Sequence, residues 1–288
     1  MLVFCFLAPL GDAIAKSIGE NAPLLLVLCA RFGIQVVLLL PVVFALGLSF
    51  KVERAILGWM TLRSLLHIFG VGAMYLSLRY LPLADALAIA FVMPFIMLLL
   101  GKFFLNEEVG SRRISACAVG FGGTLLVIQP SFVDVGWPAL LPLAVALIFA
   151  VFMLITRMIA KQVDPISLQA SSGIIASLML LVLLFFLPSD LHPDLTLNQP
   201  ENYIIWLMLW VGILGTAAHL MMTISLRFAP SATVAPMQYL EIPFATFLGW
   251  FVFNELPNGL ARVGILITVA AGLFIIAMEH RAAKAKAR

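Results

Sequence analysis

Residues 74–107 read MYLSLRYLPLADALAIAFVMPFIMLLLGKFFLNE, and residues 222–255 read MTISLRFAPSATVAPMQYLEIPFATFLGWFVFNE. The two stretches superpose without a gap at an offset of 148 residues. Met74 and Met222, Arg79 and Arg227, Pro82 and Pro230, and Gly101 and Gly249 are then identical pairs, as are Asn106–Glu107 and Asn254–Glu255. Apolar composition alone produces some matches, but not an Arg–x–x–Pro and an Asn–Glu repeated at one offset. After a one-residue shift Arg113 and Gly123 meet Arg262 and Gly272. The chain is therefore a duplication, and the duplicated unit is apolar.

Of the 288 residues, 63% are hydrophobic and 11% charged. A soluble domain needs about 25% charged residues to cover its surface. The apolar residues fall into blocks of about 20, the length that crosses a bilayer core roughly 30 Å thick. The alternating pattern of a membrane β-barrel is absent. Breaks at Pro, Gly and charged residues delimit ten spans, at residues 2–18, 23–48, 56–78, 83–104, 112–129, 137–160, 165–187, 202–227, 231–253 and 260–279. The expected fold is all-α and polytopic: ten transmembrane helices as two inverted five-helix repeats. The first repeat occupies residues 1–130, the second 137–280, and a basic tail follows at 281–288. The block that opens at Met1 has no basic leader and no small-residue cleavage site, and reads as a mature helix rather than a signal peptide. Cys5, Cys29 and Cys117 lie far apart inside apolar blocks and suggest neither a disulfide framework nor a metal site.

Five spans per half is an odd number, so the second half lies upside down relative to the first. The distribution of Lys and Arg agrees. With the N-terminus cytoplasmic, thirteen basic residues fall inside (Arg63, Arg157 and Arg227 among them) and Lys16, Arg31, Arg79 and Arg262 fall outside. Both termini are expected in the cytoplasm and the chain in a bacterial inner membrane. Inverted repeats place a binding site near the midplane, where the halves meet, and alternating access follows from exchanging the two arrangements.

The segments Arg79–Ala86 (RYLPLADA) and 94–108 (PFIMLLLGKFFLNEE) with Gly120–Ile128 (GFGGTLLVI), and their partners in the second half, resemble the EamA-type drug/metabolite transporter superfamily. The likeness covers nearly the whole chain. Its branch of YddG-type aromatic amino-acid exporters is the one this sequence is taken to be similar to. The resemblance implies ten helices around a cavity lined by the first, third and fourth helices of each half, and export of small metabolites, amino acids foremost. No G-x-x-x-x-G-K-[ST] phosphate loop occurs in the chain. Transport would then run down a gradient or be coupled to an ion, and a proton is the candidate.

Ionisable residues within a span are costly and face a bundle interior or a wet cavity. Glu241, central in span 9, stands opposite Met93 in the repeat, so the acid belongs to one half only. It is either a coupling or amine-binding carboxylate, or a protonated acid capping the Tyr239 carbonyl, which Pro243 cannot engage. Gln238, Tyr239 and Glu241 precede Pro243, whereas Ala90, Phe91 and Met93 precede Pro94, so one half is polar where the other is apolar. Pro94 and Pro243 are the expected hinges. Asp12 either lines the cavity or pairs with Lys16 four residues on. An aspartyl protease would need a second aspartate beside it, and Asp85 at the N-terminal end of span 4 does not supply one. His67, Met74 and Tyr75 share a stripe of span 3, and His219, Met222 and Thr223 the matching stripe of span 8. Helix packing with a bonded histidine is the plainer reading of each stripe, and cavity lining the functional one.

The remaining charges read as structural. Arg31 is placed near the outer end of span 2, free to snorkel. Glu107 is expected to pair with Arg112 or Arg113, and Glu255 with Arg262. Gly120, Gly122, Gly123, Gly264 and Gly272 are small residues for close helix contact. The expected partners are the bilayer, a small-molecule substrate and a coupling proton, with no cofactor, metal or nucleic acid. The chain is expected to be a monomer, since both halves are covalently joined. The alternatives are a proton-coupled multidrug or other metabolite carrier that uses Glu241 and Asp12, and an intramembrane enzyme.

Overall fold

The computed structural model describes residues 1–50, 52–104, 110–186, 193–195, 200–229, 234 and 237–286, without the side chains of 112, 113, 117, 129, 130, 275, 276 and 279–286. No strand occurs among them. The helices are α1 (Leu2–Ile18), α2 (Leu24–Ala45), α3 (Arg54–Ser77), α4 (Leu83–Ala90), α5 (Met93–Phe104) and α6 (Ser111–Val135) in the first half. The second half holds α7 (Leu141–Ile159), α8 (Pro165–Phe186), α9 (Asn202–Phe228), α10 (Glu241–Phe253) and α11 (Gly259–Lys286). Seven apolar stretches among the described residues are long enough to cross a bilayer, Leu83–Phe104 among them. The other three spans are shorter: α1 has 17 residues, α10 has 13, and the apolar part of α11 runs Gly259–Phe274.

Span 4 is two helices, and the reason is Pro94. Its ring collides with the carbonyl four residues back, that of Ala90, and its nitrogen has no hydrogen to donate. Helix α4 stops at Ala90, and α5 restarts at Met93 with Pro94 in its first turn. Span 9 is likewise not one helix. A 3₁₀ turn, Gln238–Leu240, precedes α10, whose third residue is Pro243.

The two halves interleave. The first helix of each half packs on the third helix of the other, α1 on α9 and α7 on α3. The second helices pack on each other, α2 on α8, and so do the fifth, α6 on α11. Exchanging the halves maps every one of these pairs onto another pair or onto itself, which is the signature of a two-fold relation between inverted copies. The repeat mates Phe91 and Tyr239 lie either side of that axis with ring centroids 5.5 Å apart. The α6–α11 crossing is glycine on glycine: a Cβ on Gly264 would run into the Gly123 carbonyl. Such close approach is what small residues provide in a membrane, where packing replaces the hydrophobic drive.

The ends of the bundle repeat the same symmetry. Arg79 pins the α1–α2 turn through the carbonyls of Gly19 (3.1 Å) and Ala22 (3.3 Å), and pairs with Asp194 at 2.9 Å. Its mate Arg227 holds the equivalent α7–α8 turn through Val163 O (3.5 Å) and Asp164 (3.6 Å). Arg157 is more than an end charge, since its guanidinium donates to the carbonyls of Leu226 (2.6 Å) and Arg227 (3.3 Å).

Glu255 does not pair with Arg262. Asn254, in the left-handed conformation (φ 53°) that Asn tolerates, ends α10 and turns the chain. The Glu255 carboxylate then meets Lys16 of α1 at 3.0 Å, while Arg262 donates to Pro257 O at 3.0 Å. The expected pairing of Glu107 lies outside the described residues, as do Pro230 and the side chains of the basic tail. Gly120, Gly123, Gly264 and Gly272 are at helix contacts, whereas a Cβ on Gly122 would meet open space.

Candidate functional site

A cavity lies between the halves, with space of about 90 Å³ for the centres of water-sized molecules. Helix α1 contributes Phe4, Gly11 and Asp12; α3 contributes Met74 and Tyr75. The broken fourth span supplies Phe91 and Met93, and its mate supplies Gln238 and Glu241. Phe149 and Met153 come from α7, and Gly215, His219 and Met222 from α9. The walls are thus thioether and aromatic, adaptable surfaces for a partly apolar solute, with a few polar groups set among them.

Nine of the expected residues meet here: Asp12, Met74, Tyr75, Phe91, Met93, His219, Met222, Gln238 and Glu241. Three do not. His67 lies behind the wall, its ring tilted against His219 with centroids 4.3 Å apart and flanked by Phe32 and Phe152 at 5.0 and 4.8 Å. Thr223 lies a turn deeper, donating to the His219 carbonyl at 2.8 Å. Tyr239 turns away towards α6 and α11, where its ring fills the space left by Gly272. A helical stripe is wider than a cavity wall, so residues at its margins pack against neighbouring helices instead.

Arg31 is not at the surface. Its side chain is buried and faces the cavity from α2. Nη1 donates to Gln35 Oε1 (3.1 Å) and Nη2 to His219 Nδ1 (3.2 Å), and Tyr75 lines the same cavity. A guanidinium has only donors, so His219 Nδ1 is the acceptor, and its 3.0 Å approach to Gly215 O is a close contact. The guanidinium lies directly against the α9 backbone at Gly215, where any Cβ would overlap it. The signal for this in the sequence was Gly215, the repeat mate of His67.

Arg63, counted above among the end charges, is fully buried as well. It binds Thr156 Oγ1 (2.7 Å), Ser172 Oγ (2.5 Å), Gln169 Oε1 (3.0 Å) and Thr223 Oγ1 (3.3 Å), and lies over the Phe152 ring at 4.5 Å. One side chain of the first half is thereby tied to three helices of the second. Neither buried arginine was legible as such, because a basic residue near a span end has the same sequence pattern whether it snorkels outward or turns in.

The carboxylates are less engaged. Lys16 bonds Glu255 and the carbonyls of Leu78 and Leu81, not Asp12. Asp12 stands within electrostatic range of Arg31 and Glu241 but makes no ion pair within 4 Å among the described residues. Glu241 does not cap the Tyr239 carbonyl: among the described residues its buried Oε1 has no partner, nor does Gln238 Oε1. The 3₁₀ turn explains why, since the Glu241 N–H folds back onto the carbonyls of Gln238 and Tyr239. Among the described residues no three His, Cys, Asp or Glu side chains group as metal ligands.

Inverted halves that meet around a cavity of mixed polarity define a membrane transporter. The sequence profile of the EamA-like transporter family matches residues 1–129 and again 136–278, and the chain belongs to that family. A riboflavin transporter of Rhizobium johnstonii is 31% identical over 252 residues, which are 87% of this chain and 80% of that protein. A riboflavin transporter of Vibrio cholerae is 26% identical, over 95% of this chain and 92% of its own. An S-adenosylmethionine uptake transporter of Rickettsia bellii is 27% identical, over 96% and 91%. A crystal structure with 17% identity has the same fold, with a TM-score of 0.71 over 96% of both chains. These relatives are not aromatic amino-acid exporters, so the branch expected from the sequence is not the one they represent.

Proposed function

We propose that this protein is an alternating-access carrier of a small organic metabolite that is part apolar ring or chain and part charged head. The observation that carries this reading is the cavity itself, with Phe4, Phe149, four methionines and two carboxylates meeting at the junction of the inverted halves. The space is too small for a large heteroaromatic solute, so the broken segments at Pro94 and Pro243 hinge to admit it. Amino acids with aromatic or aliphatic side chains fit the description, as does S-adenosylmethionine, the named cargo of one relative. A carrier of this kind moves cargo down its own gradient and that of any coupled ion. Export and uptake are the same cycle run in opposite senses. Glu241 is the candidate proton carrier, and the chain acts as a monomer in a bacterial inner membrane with both termini cytoplasmic.

The test is uptake into proteoliposomes of labelled phenylalanine, S-adenosylmethionine and riboflavin, with and without a pH gradient. Saturable counterflow of phenylalanine or S-adenosylmethionine supports the reading, and counterflow of riboflavin alone keeps the carrier but removes the charged head. A cationic dye moving while all three stay outside would replace it with the multidrug alternative.

A further inference from the structure

Two opposite charges face the cavity without touching each other. Arg31 is held in place by neutral partners, Gln35 and His219, which engage two of its five N–H groups. Asp12 makes no hydrogen bond or ion pair among the described residues, and Arg31 and Glu241 both stand within electrostatic range of it. Unpaired charges in a membrane interior are costly, and those that persist mark solute pathways. Direct pairing would remove the cost, yet the geometry avoids it: Gly215 gives Arg31 a seat on α9, and Gln35 and His219 fix its plane. A guanidinium with a fixed plane and spare donors is suited to a carboxylate, which it can engage through two parallel bonds.

We infer that Arg31 and Asp12 together form a receptor for the α-amino-acid head group, with the cargo carboxylate on Arg31 and its ammonium on Asp12. The inference rests on the cavity being the cargo site. In an α-amino acid the two charges sit on one carbon, so only neighbouring receptors of opposite sign satisfy both. The rest of the cargo lies against Phe4, Phe149 and the methionines. Glu241, with an oxygen unengaged on the far element, remains for a second positive centre on the tail or for a proton. Free aromatic amino acids and S-adenosylmethionine share this head; riboflavin lacks it.

Binding to the detergent-purified full chain tests the inference directly, with tritiated phenylalanine and tritiated S-adenosylmethionine as probes. The competitors are phenethylamine, which lacks the carboxylate, and 3-phenylpropionate, which lacks the ammonium. The expected result is that each competes at least about tenfold more weakly than phenylalanine, because a site built for a polar group rejects analogues without it. Arg31→Lys, which keeps the charge but loses the two parallel bonds, then narrows the preference for phenylalanine over phenethylamine. Asp12→Asn removes the preference over 3-phenylpropionate. The wild-type comparison stands even if a variant does not fold. Equal competition by the truncated analogues overturns the inference. So does binding of labelled riboflavin with no binding of either zwitterion, although the carrier reading would then survive. If none of the three binds or moves, both fall.

Discussion

Lys16, at the C-terminal end of α1, and Glu255, just past the end of α10, meet at 3.0 Å at one end of the bundle. The pair is embedded in backbone. Lys16 donates to Leu81 O at 2.6 Å and Leu78 O at 3.3 Å, and Glu255 accepts the Leu83 N–H at 3.2 Å. It therefore ties α1 and α10 to the turn between α3 and α4. At the opposite end Arg157, near the end of the first helix of the second half, donates to Leu226 O, the repeat mate of Leu78 O.

If this bridge closes one end, breaking it should free that end. Glu255→Gln keeps the hydrogen bond from Leu83 and loses the charge. It should lower stability by about 1.5–3 kcal/mol, the range for a bond to a charged group, read as a lower melting temperature in detergent. Bridging Lys16→Cys and Glu255→Cys with a bis-methanethiosulfonate linker, which spans more than a direct disulfide can, should stop counterflow and be reversed by reductant. Counterflow unaffected by the cross-link would show that this end does not move.

Arg63 carries no substrate role in this scheme, yet its removal should be among the most damaging changes in the chain. Arg63→Met strands Thr156, Ser172, Gln169 and Thr223 in the interior. Loss of a buried network of this kind costs about 3–5 kcal/mol. Size-exclusion profiles and melting curves should show it, with Arg63→Lys recovering only part. Full stability of Arg63→Met would mean that the network is dispensable.

The two neighbouring histidines should separate cleanly. Both ring nitrogens of His67 are buried without partners, and its neighbours are Phe32, Phe149 and Phe152. His67→Phe should fold with stability within about 1 kcal/mol of the parent, since it removes unsatisfied polar atoms from an aromatic site. His219→Phe releases Arg31 and should lower cargo affinity about tenfold or more. Equal effects of the two changes on transport would contradict these assignments.

Glu241 decides the question of proton coupling. If it carries the proton, Glu241→Gln should leave counterflow at equal pH intact and abolish stimulation by a pH gradient. Unchanged stimulation would assign the acid to cargo binding alone.

Gly215→Ala tests the seat of Arg31. One added methyl overlaps the guanidinium, so the arginine must shift. Cargo affinity should fall by about tenfold or more while the melting temperature changes little, because the helix itself favours alanine by about 1 kcal/mol. A melting temperature that falls together with affinity would point to general disruption of α9.

Legibility tracked the range of the interactions involved. The break before Pro94 could be read from the chain, because a proline acts on the carbonyl four residues behind it. The value of Asn254–Glu255 was visible as a repeated pair, but its partner was not: Lys16 is remote in sequence, and Arg262 was merely near. Tyr239 shared a polar cluster with Gln238 and Glu241, and the 3₁₀ turn carried its ring to Gly272 on another helix.

Apolar blocks of bilayer length, an odd number of spans per half and one repeat offset determine the class, the inversion and the location of the cavity. Each of these is set by the bilayer and by local chain geometry, and neither depends on knowing which helices touch. The tertiary structure alone decided which charges turn inward. Arg31 and Arg63 lie on spans whose outer faces are equally permitted to a basic side chain, and only the glycine seat on α9 and the acceptors on α7, α8 and α9 draw them in.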